Sequence, residues 1–125
     1  NDRVKFIGFV DGGDKDCWYR ISDIYVNTAH FEPFGLTYLE AIKYQSAVLA
    51  SNNGGGKDIF THQVNGYLVD PNQHSQIVEG LCWLYNEKNR EGVIKEGLKT
   101  MDLYSIERTA KSYLDWYGGF KIIKE

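Results

Sequence analysis

Glu32 and Glu40 stand eight positions apart in the run Glu32-Pro33-Phe34-Gly35-Leu36-Thr37-Tyr38-Leu39-Glu40, which opens a segment with a helical apolar rhythm at Leu36, Leu39, Ala41 and Ile42. An ionised carboxylate only accepts hydrogen bonds, so it suits the vicinal hydroxyls of a ribose or another sugar. The first turn of a helix adds unpaired N–H groups and the positive end of the peptide dipole, which together hold phosphate or diphosphate without a dedicated cation. Glu40, in that turn, therefore fits hydroxyl donors better than phosphate, and Glu32, on the loop, could do the same for a sugar. Pro33 suits a loop approaching a helix, and Gly35 lets a ligand come close to backbone.

The same residues also fit a capping box, in which Thr37 accepts from the N3 amide and Glu40 reaches back to the Thr37 N–H. Spacing alone leaves both readings open. A hydrolytic carboxylate pair is disfavoured. Eight helical steps of about 1.5 Å would separate the two groups by roughly 12 Å, beyond the roughly 5 to 9.5 Å that such pairs use.

These carboxylates need a scaffold, and the chain reads as α/β. Four short apolar runs, at residues 4–10, 24–27, 47–51 and 67–70, are uninterrupted rather than alternating. That is the pattern of strands buried on both faces, with intervening helices as the crossovers of a parallel sheet. Helices are expected over residues 14–22, 36–44, 55–62, 73–86, 89–100 and 105–117. Pro71 stops the last strand, Ser105 offers an N-cap, and Gly118-Gly119 ends the final helix. Ala110, Tyr113, Leu114, Trp116 and Tyr117 give that helix an aromatic face, to pack on its own domain or to cross to a second one.

A second loop, Asn52-Asn53-Gly54-Gly55-Gly56-Lys57-Asp58, follows a strand and opens a helix, again the geometry of an anion site at the carboxyl edge of a sheet. It is not a Walker A loop, because Ser51 holds the place of the first glycine and Asp58 that of Ser or Thr. Three consecutive glycines could instead make only a tight turn, but two helix N-termini at the same edge of the sheet favour the ligand reading. Asp11, Asp14 and Asp16 lie in a Gly-rich turn that reads as helix capping, without the converging oxygens a hard cation needs. His30, His62 and His74 lack the spacing of a metal pair, and no Ser/His/Asp or Cys/His arrangement can be argued. Cys17 and Cys82 sit in helical segments and read as buried, reduced thiols.

At 125 residues, 42% apolar and 25% charged, the chain is one domain with an ordinary core. A formal charge of −3 without a basic cluster argues against a nucleic-acid surface; Lys121 and Lys124 read as a solvated tail. No apolar run nears the roughly 18 to 20 residues of a membrane span, and a cytoplasmic setting is expected. The only methionine is Met101 and residue 4 already opens an apolar run, which suggests an excised piece of a longer protein.

The run from Glu32 to Ala41 resembles the E-x7-E signature of retaining GT-B glycosyltransferases of family 4, the group with sucrose-phosphate synthase-like, glycogen synthase-like and mannosyltransferase enzymes. Further landmarks agree with it: residues 3–10, residues 19–26, Asn53-Gly54-Gly55, Asn65 to Pro71, and Tyr104-Ser105-Ile106-Glu107-Arg108. The resemblance covers nearly the whole chain. It implies the Rossmann-like, donor-binding C-terminal domain of such an enzyme, with residues 1–125 as a single partial nucleotide-sugar-binding domain.

The resemblance implies a nucleotide-diphosphate-sugar donor, a carbohydrate or lipid-linked acceptor, retention at the anomeric carbon, and neither metal nor other cofactor. By position, Glu32 would hold a donor-sugar hydroxyl and orient the sugar. Glu40 would take the ribose hydroxyls, the backbone of Phe34, Gly35 and Leu36 the sugar and diphosphate, and Thr37 a further contact. Asn53, Gly54 and Gly55 would border the pocket, and Phe9 and Val10 would lie under the base.

Family members also carry, upstream of this region, a Gly-Arg strand and a Lys that neutralise the diphosphate. In the order 3-2-1-4-5-6, two further strands would lie between residues 4–10 and 24–27. The fragment alone is accordingly expected to be inactive, with Lys57 as at most a slight substitute, and prone to self-association through unpaired strand edges. A nucleotide-sugar epimerase of the same fold and a non-catalytic nucleotide-binding module are the other classes the sequence leaves open.

Overall fold

The computed structural model describes residues 2–118. Its elements run α1 (Gly12–Ile21), β1 (Ile24–Asn27), α2 (Leu36–Lys43), β2 (Ala47–Ser51), α3 (Gly56–Ile59), β3 (Tyr67–Val69), α4 (His74–Tyr85), α5 (Glu87–Met101), a 3₁₀ turn (Asp102–Tyr104) and α6 (Ile106–Gly118). The three strands form a parallel sheet in the order β1-β2-β3. Ile24 pairs with Ala47, and Leu49 with Tyr67. This is the α/β, parallel-sheet fold that the uninterrupted apolar runs require.

β2 shows why those runs do not alternate. Every residue from Ala47 to Ser51 is buried, since helices cover both faces of the sheet. Val48 and Ala50 join Tyr19, Tyr38, Ala41, Ile42, Ile59 and Phe60 in one core. Ala47 and Leu49 join Tyr67, Val69, Leu84 and Val93 in the other. The pleat sends successive side chains to opposite layers, and each layer is apolar.

Several expectations are corrected. Residues 4–10 form no strand: Phe6 and Phe9 are 98% and 92% exposed, and Gly8 has φ +70. A strand exists only against a partner's N–H and C=O groups, and no described strand pairs with this run. In the strand order the resemblance implies, its neighbour is not β1. The helix expected over residues 55–62 is the single turn Gly56–Ile59. It stops there because Asn65 intervenes, its Oδ1 accepting from the Thr61 N–H at 2.7 Å and its Nδ2 donating to the Ile59 carbonyl at 3.0 Å.

Cys17 and Cys82 are free, as expected, but exposed rather than buried, on the outer faces of α1 and α4. Asp11 holds the N-cap position of α1 without a side-chain cap bond. Ser105 does cap α6, accepting from the Arg108 N–H at 3.2 Å. α6 has no buried residue among those described, so the face carrying Tyr113, Leu114, Trp116 and Tyr117 does not pack into this domain's core. Gly119, Lys121 and Lys124 lie outside the described residues.

Candidate functional site

The carboxyl ends of β1 and β2 lie side by side, and each feeds a loop. Parallel register makes this unavoidable, so the Glu32 loop after Asn27 and the Gly-rich loop after Ser51 meet at one edge of the sheet. They are tied backbone to backbone. The Glu32 N–H donates to the Asn53 carbonyl at 3.2 Å and the Gly55 N–H to the Glu32 carbonyl at 2.7 Å, a parallel bridge between Glu32 and Gly54.

This bridge explains the glycines. Gly54 has φ +88, and a Cβ there would overlap the Glu32 carbonyl oxygen. A Cβ on Gly55 would overlap the Phe34 carbonyl oxygen and lie 2.5 and 2.6 Å from the Phe34 carbonyl carbon and Cα. The loop is therefore a close-packed backing for residues 32–34. It does not supply a second anion site from α3: the N–H groups of Lys57, Asp58 and Ile59 donate to Gly54 and Gly55 carbonyls within the turn.

α2 begins directly after this platform. Its N-cap is Gly35, in the left-handed region at φ 94, and no side chain caps the helix. The Tyr38 and Leu39 N–H groups donate back to the Gly35 carbonyl at 2.9 and 3.4 Å. The Leu36 and Thr37 N–H groups precede them and take no partner among the described residues. An α-helix start with open N–H groups, at the carboxyl edge of a parallel sheet, is an arrangement that receives a phosphate or diphosphate.

The capping box is thus overturned. Helix begins two residues earlier than that reading needs, and Thr37 Oγ1 is buried without a partner among the described residues. Glu40, now beyond the first turn, points to α1. Its Oε1 takes the Lys15 ammonium at 2.8 Å and its Oε2 the Tyr19 hydroxyl at 3.1 Å. Glu32, at the other end, accepts from Asn27 Nδ2 at 3.4 Å.

Burial tunes the hydroxyls beneath. Tyr38 is fully buried under Gly35, and its hydroxyl, beside the Ser51 backbone, has no hydrogen-bond partner among the described residues. Burial, with the Glu32 carboxylate adding to it, pushes this hydroxyl up to about 12. The Tyr19 hydroxyl is raised further, first by burial and then by Tyr25 and Glu40. The Lys15 ammonium is raised chiefly by its hydrogen bond to Glu40. Phe34 is half exposed, its ring edge-on to Tyr104 at 6.0 Å between centroids, and Tyr104 donates to the Asp58 carbonyl at 3.0 Å.

Of the expected site residues, Glu32, Phe34, Gly35, Leu36, Thr37, Asn53, Gly54 and Gly55 come together at this edge, with Glu40 one turn further along α2. Phe9 and Val10 do not join them. Val10 lines a shallow groove with Ile7 and with Asp14, Cys17, Trp18 and Ile21 of α1. Sequence reasoning missed Lys15, Tyr19 and Asn27. Lys15 and Tyr19 are four apart on one helix face, a pairing that periodicity could have flagged, but 25 and 21 residues respectively separate them from Glu40. Among the described residues no cluster of His, Cys, Asp or Glu could hold a metal.

Residues 1–100 match the family model described as glycosyl transferases group 1. The chain belongs to this family. A probable sucrose-phosphate synthase 4 of Oryza sativa subsp. japonica is 37% identical over 103 residues, which is 82% of this chain and 10% of that protein. The crystallised C-terminal domain of a glycosyl transferase group 1 family protein, LpcC, from Francisella tularensis is 36% identical with a TM-score of 0.72. That match covers 81% of this chain and 53% of the other.

Anabaena HepE in complex with UDP shares the fold at a TM-score of 0.84 and 20% identity, over 95% of this chain and 33% of that one. The fold is thus that of the Rossmann-like C-terminal domain of GT-B glycosyltransferases. This group 1 chain spans about a tenth of the length of the sucrose-phosphate synthases it matches.

Proposed function

We propose that this domain binds the nucleotide-diphosphate-sugar donor of a retaining, metal-independent family 4 glycosyltransferase. The observation that carries the proposal is the uncapped start of α2, set between Glu32 and Glu40 and backed by the Gly-rich loop. In this reading the diphosphate lies against the Leu36 and Thr37 N–H groups, and the backbone of Phe34 and Gly35 lies along the sugar. Asn53, Gly54 and Gly55 border the pocket. Phe9 and Val10 reach the base only in the complete enzyme, where their segment has a sheet to join.

The chemistry follows from where charge develops. As the glycosidic bond to the diphosphate breaks, negative charge grows on its oxygens, and the fixed positive end of α2 stabilises that charge without reorganising. Upstream cations of the parent chain add to this field. The acceptor, a carbohydrate or a lipid-linked sugar, attacks from the face the diphosphate leaves. Glu32 holds a sugar hydroxyl and orients the ring, so no covalent nucleophile is needed. The setting is cytoplasmic, and the 125-residue piece alone turns over no donor and associates through the open edge of β1.

The test is made on the complete enzyme. Glu40→Gln should leave stability unchanged and weaken donor binding by about 5- to 30-fold, as expected when a charged acceptor becomes neutral. Glu32→Gln should lower kcat more than donor affinity. Calorimetry showing unchanged affinity for uridine, guanosine and adenosine diphosphate donors in Glu40→Gln would refute the assignment.

A further inference from the structure

Two side chains of α1 reach the proposed donor site, and both end on Glu40. Lys15 and Tyr19 each take one carboxylate oxygen. A carboxylate has about four lone-pair positions, two on each oxygen. One donor on each oxygen leaves one acceptor position on each, enough for the vicinal 2′- and 3′-hydroxyls of a ribose.

The two donors differ in rigidity. Lys15 is a half-exposed ammonium on a flexible stem, and an ion pair this open to solvent fixes little. The Tyr19 ring is 8% exposed, stacked on Tyr44 at 6.1 Å and tilted against Tyr25 at 5.5 Å. The end of its helix is fastened to the start of β2 by the buried Ser46 hydroxyl, whose single proton is shared between the carbonyls of Tyr19 at 3.0 Å and Ser22 at 2.9 Å. The hydroxyl is therefore fixed relative to the sheet.

We propose that Tyr19 is a positioning residue for nucleotide recognition: its hydroxyl locks the Glu40 carboxylate in the orientation that receives the ribose diol, and so sets the preference for ribo- over 2′-deoxyribonucleotides. The proposal rests on Glu40 as the ribose acceptor. Because burial keeps the Tyr19 hydroxyl protonated well above its ordinary range, it donates to Glu40 throughout the neutral range.

The experiment uses the complete enzyme. Calorimetry measures dissociation constants for uridine, guanosine and adenosine diphosphates and their 2′-deoxy forms, and the tightest base is carried forward to the variants. Tyr19→Phe keeps the ring in the core, so the melting temperature should hold. Its affinity for the ribonucleotide should fall about 3- to 10-fold, the scale of one hydrogen bond, and the 2′-deoxy form, which keeps only the 3′-hydroxyl on Glu40, should weaken less. Glu40→Gln should shrink the same preference, and the double variant should be no worse than Glu40→Gln.

If Glu40→Gln shrinks the ribo-to-deoxy ratio while Tyr19→Phe leaves it intact, or weakens both nucleotides equally, the role of Tyr19 is overturned and that of Glu40 stands. If Glu40→Gln leaves the ratio unchanged, or no diphosphate binds, the ribose reading of Glu40 fails and this inference fails with it.

Discussion

Replacing Gly55 by alanine puts a methyl group against the Phe34 main chain, and the size of the effect can be worked from the contacts. The new Cβ would lie 2.5 and 2.6 Å from the Phe34 carbonyl carbon and Cα, and closer still to the carbonyl oxygen. Ordinary contact begins near 3.4 Å, so one backbone must withdraw by roughly 1 Å, and neither is a flexible side chain. Withdrawal breaks the Gly55-to-Glu32 and Glu32-to-Asn53 hydrogen bonds, worth about 1 kcal/mol each. Residual overpacking adds about 1 to 2 kcal/mol.

The expected loss for Gly55→Ala is therefore about 3 to 4 kcal/mol in urea unfolding followed by circular dichroism. Gly92→Ala is the control with opposite sign. Gly92 lies inside α5 with nothing within 4 Å of its would-be Cβ, so alanine should stabilise by about 0.5 to 1 kcal/mol through helix propensity and unfolded-state entropy. In the complete enzyme, a 1 Å shift of residues 32–34 should also cost turnover about 100-fold. A Gly55→Ala protein as stable as the parent would refute the argument that the Glu32 loop and the Gly-rich loop are locked together.

Leu84, fully buried against the β2 and β3 core, should lose about 2 to 5 kcal/mol on substitution by alanine, read as a lower urea midpoint at unchanged slope. Stability should also fall in alkali. The Tyr38 hydroxyl moves from 10.0 to about 12 on folding, so its contribution is whole below pH 10 and is lost as pH rises towards 12, up to about 3 kcal/mol at 1.4 kcal/mol per unit. Tyr38→Phe should flatten that alkaline slope, and a slope unchanged in this variant would show that the buried hydroxyl is not responsible.

The local order of this chain was legible in its residues because it rests on near-neighbour physics. The uninterrupted run Ala47–Ser51, short and followed by Asn and Gly, reads as a strand covered on both faces, and β1 and β2 lie where their apolar runs place them. Leu36, Leu39, Ala41 and Ile42 follow the period of a helix, and the residues around Gly35 and Gly54 mark where backbones approach closely. From these alone the α/β class and the position of the Glu32 to Glu40 segment at a strand's carboxyl end could be stated.

Tertiary structure decided the rest. Whether Thr37 or Gly35 capped α2 turned on the Gly35 backbone settling over the Tyr38 ring, a contact no spacing rule contains. Whether the Gly-rich loop was an anion site or a backing turned on its bridge to Glu32, across more than twenty residues of chain. Residues 4–10 have every local mark of a strand and are not one, because a strand is a property of two segments and their shared hydrogen bonds. The partners of Glu40 were likewise invisible until α1 was packed against α2, since a carboxylate's environment is set by what the fold brings to it.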